Sequence, residues 1–300
     1  MRVALVANPA ARSATRSNAA ERAAARLREH GVTTSVISGG SPAETAGLLR
    51  TALQLGVDGV LVAGGDGTVN IALQELAGTG VPLGIIPVGT GNDFAAAVGL
   101  RELDVDAAAE VVAAGRTREV DLARIVRADG TSRLFGTVLA CGFDARVNDR
   151  ANRMRRPRGS SRYTIALLVE FLTLHGVPFA IDLDLADGTT AHLDQQLVLA
   201  AVGNGPSYGG GIPICPDADL TDGLLDVTVV HPAGRLRLLR LLPKLYRGAH
   251  TDLDEVCTHR VRGIRLNSPG ASAYADGDPM GILPVRVDAV PAGLRVFSAR

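Results

Sequence analysis

Residues 59–68 form the stretch GVLVAGGDGT, in which five residues of β-strand character run directly into a cluster of glycines. The residues after it, as far as Leu76, carry apolar side chains at helical spacing. Glycines between a strand and a helix let backbone N–H groups approach an anion, and the helix N-terminus adds a partial positive charge. The order of strand, glycines and helix therefore predicts a phosphate-binding turn, although a tight turn without a ligand uses the same residues.

A second glycine loop, PVGTGNDFA at 87–95, follows the next predicted strand, 83–86. The carboxyl ends of parallel strands meet at one edge of a sheet, where ligands bind. Two polar glycine loops at one edge predict a nucleotide site. Asp66 would repel phosphate unless it holds a metal or a ribose hydroxyl, so a nucleotide bound with Mg²⁺ explains its presence. The chain contains neither a dinucleotide GxGxxG fingerprint nor a P-loop.

The first part of the chain alternates strand and helix patterns, at 2–7, 17–30, 32–37, 42–55 and 59–63. Such alternation predicts a parallel sheet. After Gly115 the β-type runs follow one another, at 117–126, 133–141, 179–186, 195–203, 224–231, 256–266 and 285–297, with helical patterns only near 161–175 and 234–246. We expect a parallel α/β nucleotide domain over residues 1–121 and a mainly antiparallel β-sandwich domain over 122–300.

Composition excludes several classes of protein. Basic and acidic side chains balance at 31 each, so no overall field attracts nucleic acid or an anionic bilayer. The three cysteines are widely spaced and form no CxxC pair, which argues against disulfides and structural zinc and favours a reducing cytoplasm. The N-terminal apolar run ends at Asn8-Pro9 and is too short for a signal peptide, and no stretch reaches the length of a membrane span.

The two loops together resemble those of the bacterial diacylglycerol kinase family of lipid kinases, whose relatives include sphingosine and ceramide kinases. The similarity continues through CGFD at 141–144, NGPSYGGG at 204–211, PDADLTDGLLD at 216–226 and ADGD at 275–278. GGDGT alone is shared with NAD kinases and phosphofructokinases, whereas its combination with GTGNDFA and a late DGD is specific. The resemblance covers nearly the whole chain and implies a catalytic cleft between the two domains.

The resemblance also implies roles for the matching residues. ATP contacts are expected at Asn8, Pro9, Gly64, Gly65, Asp66, Gly67, Thr68, Asn70, Thr90 and Asn92. Asp276 and Asp278 occupy the positions of the family's catalytic Asp-Gly-Glu. Asp219, Asp222 and the carbonyl of Leu224 match a Mg²⁺-binding segment. Residues 10–13 depart from the family pattern, which leaves the phosphate contact of the early Asn-Pro loop open.

Phosphoryl transfer needs a metal, donors that hold the phosphates, and a carboxylate that accepts the proton of the acceptor hydroxyl. We expect amides at 64–68 to hold the phosphates, and Asp66 and Asp93 to orient Mg²⁺. The base is Asp276 or Asp278, and both stay open because Asp278 is one methylene shorter than the family's Glu. Without the resemblance, a plain turn is the favoured interpretation of Asp276-Gly277-Asp278-Pro279, because Asp, Gly and Pro are the usual turn residues.

A lipid alcohol such as diacylglycerol is the favoured acceptor, and a soluble hydroxyl compound such as NAD is the alternative. A non-catalytic nucleotide- or lipid-binding regulator is a third hypothesis. Two arginine-rich stretches, 146–162 and 235–247, carry the charge needed to dock on an anionic membrane from the cytoplasmic side. A solvated loop and an ordinary amphipathic helix, respectively, explain them without a membrane. A homodimer is compatible with the sequence.

Overall fold

The computed structural model describes residues 1–7, 14–154, 156 and 161–299. The predicted ATP contacts at Asn8 and Pro9 lie outside these described residues. Among the described residues, no helix has the length and hydrophobicity needed to span a membrane.

The N-terminal part alternates strands and helices as predicted. Its elements are β1 (Arg2–Ala7), α1 (Ala14–Glu29), β2 (Thr33–Ile37), α2 (Pro42–Gln54), β3 (Gly59–Gly64), α3 (Asp66–Leu76), β4 (Leu83–Pro87), α4 (Asp93–Ala97) and α5 (Val105–Ala114). The strands pair in parallel in the order β2-β1-β3-β4. Ser41 caps α2 by accepting the amide of Glu44 at 3.2 Å, and Pro42 occupies the first turn, where its missing N–H costs nothing.

The remainder is rich in antiparallel strands. Its elements are β5 (Thr117–Arg127), β6 (Ser132–Phe135), β7 (Val138–Gly142), α6 (Phe143–Arg153), α7 (Ser161–Leu172), β8 (Val177–Leu185), β9 (Thr190–Leu197), β10 (Leu199–Gly203), β11 (Leu225–Val230), α8 (Arg235–Leu245), β12 (Val256–Asn267), β13 (Ser272–Ala275), β14 (Asp278–Ile282) and β15 (Val285–Phe297). One apolar core collects side chains from strands throughout this part. A parallel α/β part followed by an antiparallel β-rich part is therefore confirmed.

The last strand, β15, joins the two parts. It pairs antiparallel with β12 and with β5, and Val296 near its end pairs in parallel with Leu83 of β4. The strands consequently form one continuous sheet in which β15 lies between β12 and β4. Because β15 carries hydrogen bonds to both parts, it fixes the parallel strands relative to the antiparallel ones.

The structure differs from the predicted elements at several places, among them the run 195–203, which is the end of β9 followed by β10. The run predicted as one strand over 133–141 is two strands, β6 and β7, interrupted at Gly136-Thr137. The interval 146–162, expected as an exposed loop or short helix, begins within the helix α6, which starts earlier than expected, at Phe143, and ends at Arg153. The hairpin of β13 and β14 was not predicted from its short strands, although its Asp276-Gly277 turn was recognised as turn-like. Both turn residues have positive φ, as a two-residue type I′ hairpin requires.

A half-buried carboxyl, Asp144, lies in the first turn of α6 and hydrogen bonds the hydroxyl of Tyr208. Burial raises the pKa of Asp144 from its ordinary value of 3.8 to about 6, while the Tyr208 hydrogen bond acts in the opposite direction. The fold therefore favours the neutral form of this carboxyl. Its contribution to stability is complete below the ordinary pKa and is lost as the pH rises through about 6.

Replacing this carboxyl with a neutral amide should make that part of the stability independent of pH. We expect Asp144→Asn, which keeps an acceptor for Tyr208, to gain stability relative to the wild type by roughly 2 kcal/mol more at pH 7.5 than at pH 4.5. Urea unfolding of both proteins at the two pH values measures this difference. A difference that does not change with pH would contradict the assignment.

Candidate active site

The two predicted glycine loops lie against each other at the carboxyl ends of β3 and β4. A methyl group on Gly89 would come within 2.3 Å of the Cα of Gly65, and one on Gly65 would come within 2.9 Å of the Cα of Gly89. Any larger residue at either position would force the two backbones apart. The glycines therefore permit a direct contact between the loops.

Asp66 braces this contact with its carboxylate. The carboxylate oxygens accept the backbone amides of Asn92 at 2.8 Å and Phe94 at 3.3 Å, at the start of α4. Asn92 adopts a left-handed conformation with φ 56°, and its side chain bonds back to the amide and carbonyl of Gly89 and the carbonyl of Pro87. A carboxylate at a helix N-terminus is electrostatically favourable. Asp66 thus fixes the second loop upon the first.

The rim of these loops is open. Gly67 and Thr90 are exposed, and an added methyl on Gly67 would meet no described atom within 4 Å. By contrast, a methyl on Gly64 would lie 2.7 Å from the side chain of Thr68, so that glycine is required by packing. The amides of Asp66 and Gly67 precede the first hydrogen bonds of α3, as at every helix N-terminus, whereas the amides of Thr68 and Val69 donate to the carbonyl of Gly65. This end of α3 can accept an anion.

Asp93 connects the second loop to the antiparallel part of the chain. It is buried, and both of its oxygens accept the amide of Gly210, at 2.9 and 3.1 Å. Arg101 adds a hydrogen bond of 3.3 Å to the carbonyl of the same glycine. Burial raises the pKa of Asp93, and the nearby charge of Asp66 adds to the increase. The segment around Gly210 is thereby held against the second of the two glycine loops, residues 87–95.

Asp276 is enclosed by hydrogen-bond donors from both parts of the chain. One oxygen accepts the amide and the hydroxyl of Thr137, at 2.9 and 2.6 Å, and the other accepts the amide of Gly136 at 2.9 Å and Nδ2 of Asn70 at 3.1 Å. Burial raises the pKa of Asp276, although these hydrogen bonds favour the charged form. Its φ of 50° is unusual for a residue other than glycine.

The interruption between β6 and β7 explains this arrangement. It directs the amides of Gly136 and Thr137 toward Asp276 instead of into a strand ladder. Gly136 also packs against the ring of Phe94, since a methyl on it would come within 2.4 Å of that ring. Phe94 belongs to the second glycine loop motif, so the loop and the Asp276 enclosure share a contact.

Asp278 has a different environment from Asp276. Its side chain is 41% exposed and pairs with Nη2 of Arg133 at 2.8 Å. The same Nη2 donates to Oδ1 of Asn70 at 2.9 Å. Arg133 and Asn70 therefore link the two candidate bases within one network.

The predicted Mg²⁺ segment is a loop before β11. The carboxylate of Asp219 accepts the amide and the hydroxyl of Thr221, at 2.9 and 2.7 Å. Asp222 accepts the amide of Leu224 at 2.9 Å and forms an ion pair with Arg260. Within the described ranges, no group of three or more His, Cys, Asp or Glu side chains is placed to hold a metal. These hydrogen bonds and this ion pair do not involve the residues that contact Asp276.

The structure brings most of the predicted residues into connected contacts. Asn70, Asp66, Asn92, Asp93, Asp276 and Asp278 all belong to the hydrogen bonds described above. Arg133, Gly136 and Thr137 were not predicted. A lone arginine and a Gly-Thr pair inside an apolar run carry no motif. The available sequence signal was Gly136, because a glycine inside a predicted strand indicates a bulge or a close backbone approach.

Comparison with known families gives two matches, one to each part of the chain. Residues 2–125 match the diacylglycerol kinase catalytic domain, and residues 137–298 match the YegS C-terminal NAD kinase beta sandwich-like domain. The second match alone covers more than half of the chain.

Individual relatives agree with these matches. A diacylglycerol kinase of Mycobacterium tuberculosis strain H37Rv is 47% identical over 299 residues, covering 100% of this chain and 96% of the relative. The "Probable lipid kinase YegS" of Escherichia coli O9:H4 is 30% identical over 281 residues, covering 90% of this chain and 87% of the relative.

A solved structure shares the fold. The crystal structure of a diacylglycerol kinase from Bacillus anthracis superposes with a TM-score of 0.71 at 20% identity, over 99% of this chain and 96% of that chain. The sequence identities to the two relatives, 47% and 30%, establish family membership in addition to a shared fold. The chain therefore belongs to the diacylglycerol kinase family of lipid kinases.

Proposed function

We propose that this chain is an ATP-dependent lipid kinase that phosphorylates the hydroxyl of diacylglycerol or a related lipid alcohol. Membership of a kinase family implies the use of ATP. One observation carries the proposal: Asp276 of the β-rich part accepts a hydrogen bond from Asn70, which lies on the helix that begins at the first glycine loop. The proposed proton acceptor is thereby hydrogen-bonded to the helix whose N-terminus is the proposed phosphate site.

The ATP phosphates would bind at the rim formed by Gly64, Gly65, Gly67, Thr68 and Thr90. Gly67 supports this placement because the fold does not require a glycine there. Its φ is not positive, a methyl on it would meet no described atom, and glycine inside a helix costs about 1 kcal/mol relative to alanine. A ligand that approaches the backbone closely accounts for the missing side chain.

Asp276 is the better candidate for the base. Its raised pKa makes it a stronger proton acceptor than an ordinary aspartate, whereas Asp278 is engaged by Arg133. All four acceptor positions of Asp276 are already filled, so an incoming hydroxyl must displace a donor. The hydroxyl of Thr137 can rotate away, which the two backbone amides cannot do. The acceptor hydroxyl would then occupy the position of the Thr137 hydroxyl.

Mg²⁺ belongs to the proposal as the ion that neutralises the β and γ oxygens of ATP. Asp66 and Asp93 flank Gly91, and both carboxylates lie within 3.3 Å of the place that a methyl on Gly91 would occupy. Paired carboxylates at the phosphate rim are suitable oxygen ligands for this ion. Asp219, Asp222 and the Leu224 carbonyl offer oxygen ligands for a second, structural ion, although Asp222 would have to exchange Arg260 for the metal.

In this proposal the two parts of the chain, which meet near residue 121, have different tasks. Residues 1–121 would bind ATP, and residues 122–300 would supply the base and the acceptor site. Asp121 itself is buried and accepts the amides of Gly223 and Ala292, both at 2.7 Å. It supports the junction and does not take part in the Asp276 network through these bonds.

The acceptor lipid requires contact with a membrane, and α7 offers a surface for it. Ile165, Leu168 and Leu172 lie at helical spacing and are 40%, 57% and 65% exposed. The helix α8 packs into the same apolar cluster as the end of α7. Between residues 234 and 251 this helix and its continuation carry only positive charges, at Arg235, Arg237, Arg240, Lys244 and Arg247. An apolar helix face beside cations fits the inner surface of an anionic membrane.

The function is tested by incubating the protein with γ-labelled ATP, Mg²⁺ and separate acceptors: diacylglycerol in vesicles, a sphingoid base and NAD. We expect label on diacylglycerol or another lipid alcohol. Asp276→Asn should lower kcat by roughly 10² to 10⁴, because the base is lost, with KM for ATP changed less than about threefold.

Asp278→Asn is the matched control and should lower kcat by less than about tenfold. Label on NAD alone would move the protein to the soluble-acceptor class, and label on none of the acceptors would favour a non-catalytic regulator. Equal losses in the two variants would remove the distinction between Asp276 and Asp278.

Membrane docking through α7 should depend on its exposed leucines. Leu168→Glu should reduce cosedimentation with phosphatidylglycerol-containing vesicles by about fivefold or more, because it places a negative charge against an anionic surface. Leu55→Glu, at a residue that is 71% exposed after α2, is the matched control and should bind as the wild type does. Unchanged binding of Leu168→Glu would contradict the assignment. A shift from dimer to monomer in light scattering would instead identify α7 as an interface between copies.

A further inference from the structure

Arg133 occupies a central position in the network between the two acidic side chains. Its Nη2 donates to Oδ2 of Asp278 at 2.8 Å and to Oδ1 of Asn70 at 2.9 Å. Within the part of the chain that the structure describes, neither Nε nor Nη1 of Arg133 has a hydrogen-bond partner. One nitrogen atom therefore serves both contacts, which places Asn70 and Asp278 side by side.

The contact with Asn70 determines how its amide group is oriented. A guanidinium can only donate hydrogen bonds, so the oxygen of the Asn70 amide must face Arg133. The NH₂ group of the same amide must then face Asp276, to which it donates at 3.1 Å. If the amide were reversed, its oxygen would oppose the carboxylate of Asp276 and its NH₂ group would oppose the guanidinium. Gln74 adds a second, longer donor contact from its Nε2 to the same oxygen at 3.4 Å. Arg133, at 2.9 Å, is the nearer donor and the only charged one of the two, so it contributes most to the orientation that makes Asn70 a donor to Asp276.

The position of Arg133 is itself fixed by the neighbouring residue. Gln74 of α3 accepts the backbone amide of Leu134 at 3.1 Å and donates to its carbonyl at 2.7 Å. This double contact anchors β6 on α3, four residues along the helix from Asn70. The relation between Arg133 and Asn70 therefore follows from the packing of a strand on a helix and does not depend on two flexible side chains alone.

Arg133 also contacts the second carboxylate directly. Its Nη2 forms a charge-assisted ion pair with Oδ2 of Asp278 at 2.8 Å. Asp276 makes no contact with an arginine among the described residues. Two carboxylates in one hairpin are therefore differentiated by their donors: Asp278 by a cation, and Asp276 by neutral amides and a hydroxyl.

We propose that Arg133 is a positioning residue that selects Asp276 over Asp278 as the base, by orienting the Asn70 amide toward Asp276 and by pairing with Asp278. The inference rests on the proposed kinase function and deepens it. Arg133 acts through Asn70 and does not itself accept the proton.

The experiment measures kcat for lipid phosphorylation against pH for the wild type, Arg133→Ala, Asn70→Ala and the double variant. Asn70→Ala removes a hydrogen bond to the carboxylate of Asp276, and Arg133→Ala releases the amide that makes this bond, so both changes should raise the pKa of Asp276. The base must be deprotonated to act, so the acidic limb of the profile should move upward, by about 0.5 to 1 pH unit. Each single variant should also lose roughly 10- to 100-fold in kcat.

The double variant should be no worse than the poorer single variant, because both changes interrupt one path. Arg133→Lys, which retains a cation and donors, should restore the acidic limb at least in part. Arg127→Ala is the matched control: Arg127 donates to the carbonyl of Met280 in β14 at 2.6 Å and makes no contact with Asn70. It should keep the wild-type profile.

An Arg133→Ala profile with an unmoved acidic limb, or losses that multiply in the double variant, would overturn the proposal. If Arg133→Ala does not fold in a thermal unfolding measurement, an unmoved limb in Asn70→Ala overturns it equally. A wild type that phosphorylates no lipid alcohol would refute the proposed function instead, so the two failures are distinguishable.

Discussion

The backbone of Gly65 lies against the backbone of Gly89, and the rest of the site depends on this contact. Because neither residue has a side chain, the loops after β3 and β4 approach more closely than two ordinary strand ends could. The Asp66 carboxylate then binds the amides at the start of α4 and holds the loops in that position. One short contact thereby sets both the N-terminus of α3 and the position of Phe94.

From these loops, contacts extend to the β-rich part by three routes. Phe94 packs on Gly136, Asn70 donates to Asp276, and Asp93 holds the amide of Gly210. Each route begins within or just after a glycine loop motif and ends at a residue of the second part. The carboxylate of Asp276 is consequently oriented by the same elements that would orient ATP. Strand β15 connects the two parts as well, since it pairs with strands of both.

The sequence predicted the α/β part and the glycine loops well because both are local: alternating patterns and strand-glycine-helix order follow from neighbouring residues. It did not predict Arg133, Gly136 or Thr137, whose importance arises only when β6, β7 and the β13–β14 hairpin meet in space. The ambiguity between Asp276 and Asp278 had the same origin. Asp276 and Asp278 lie only two residues apart in one turn, but their partners are distant in sequence. Asp276 accepts from Thr137, and Asp278 pairs with Arg133.

The central claim, that the glycine rim holds the phosphates of ATP, is tested most directly by the ATP dissociation constants of two alanine variants. Gly67 and Gly47 are both helical glycines at which a methyl would meet no described atom, but only Gly67 lies at the rim. Both variants should fold, with up to about 1 kcal/mol of added stability. Gly67→Ala should weaken ATP binding by about tenfold or more while Gly47→Ala leaves it unchanged. Equal affinity in the two variants would contradict the account.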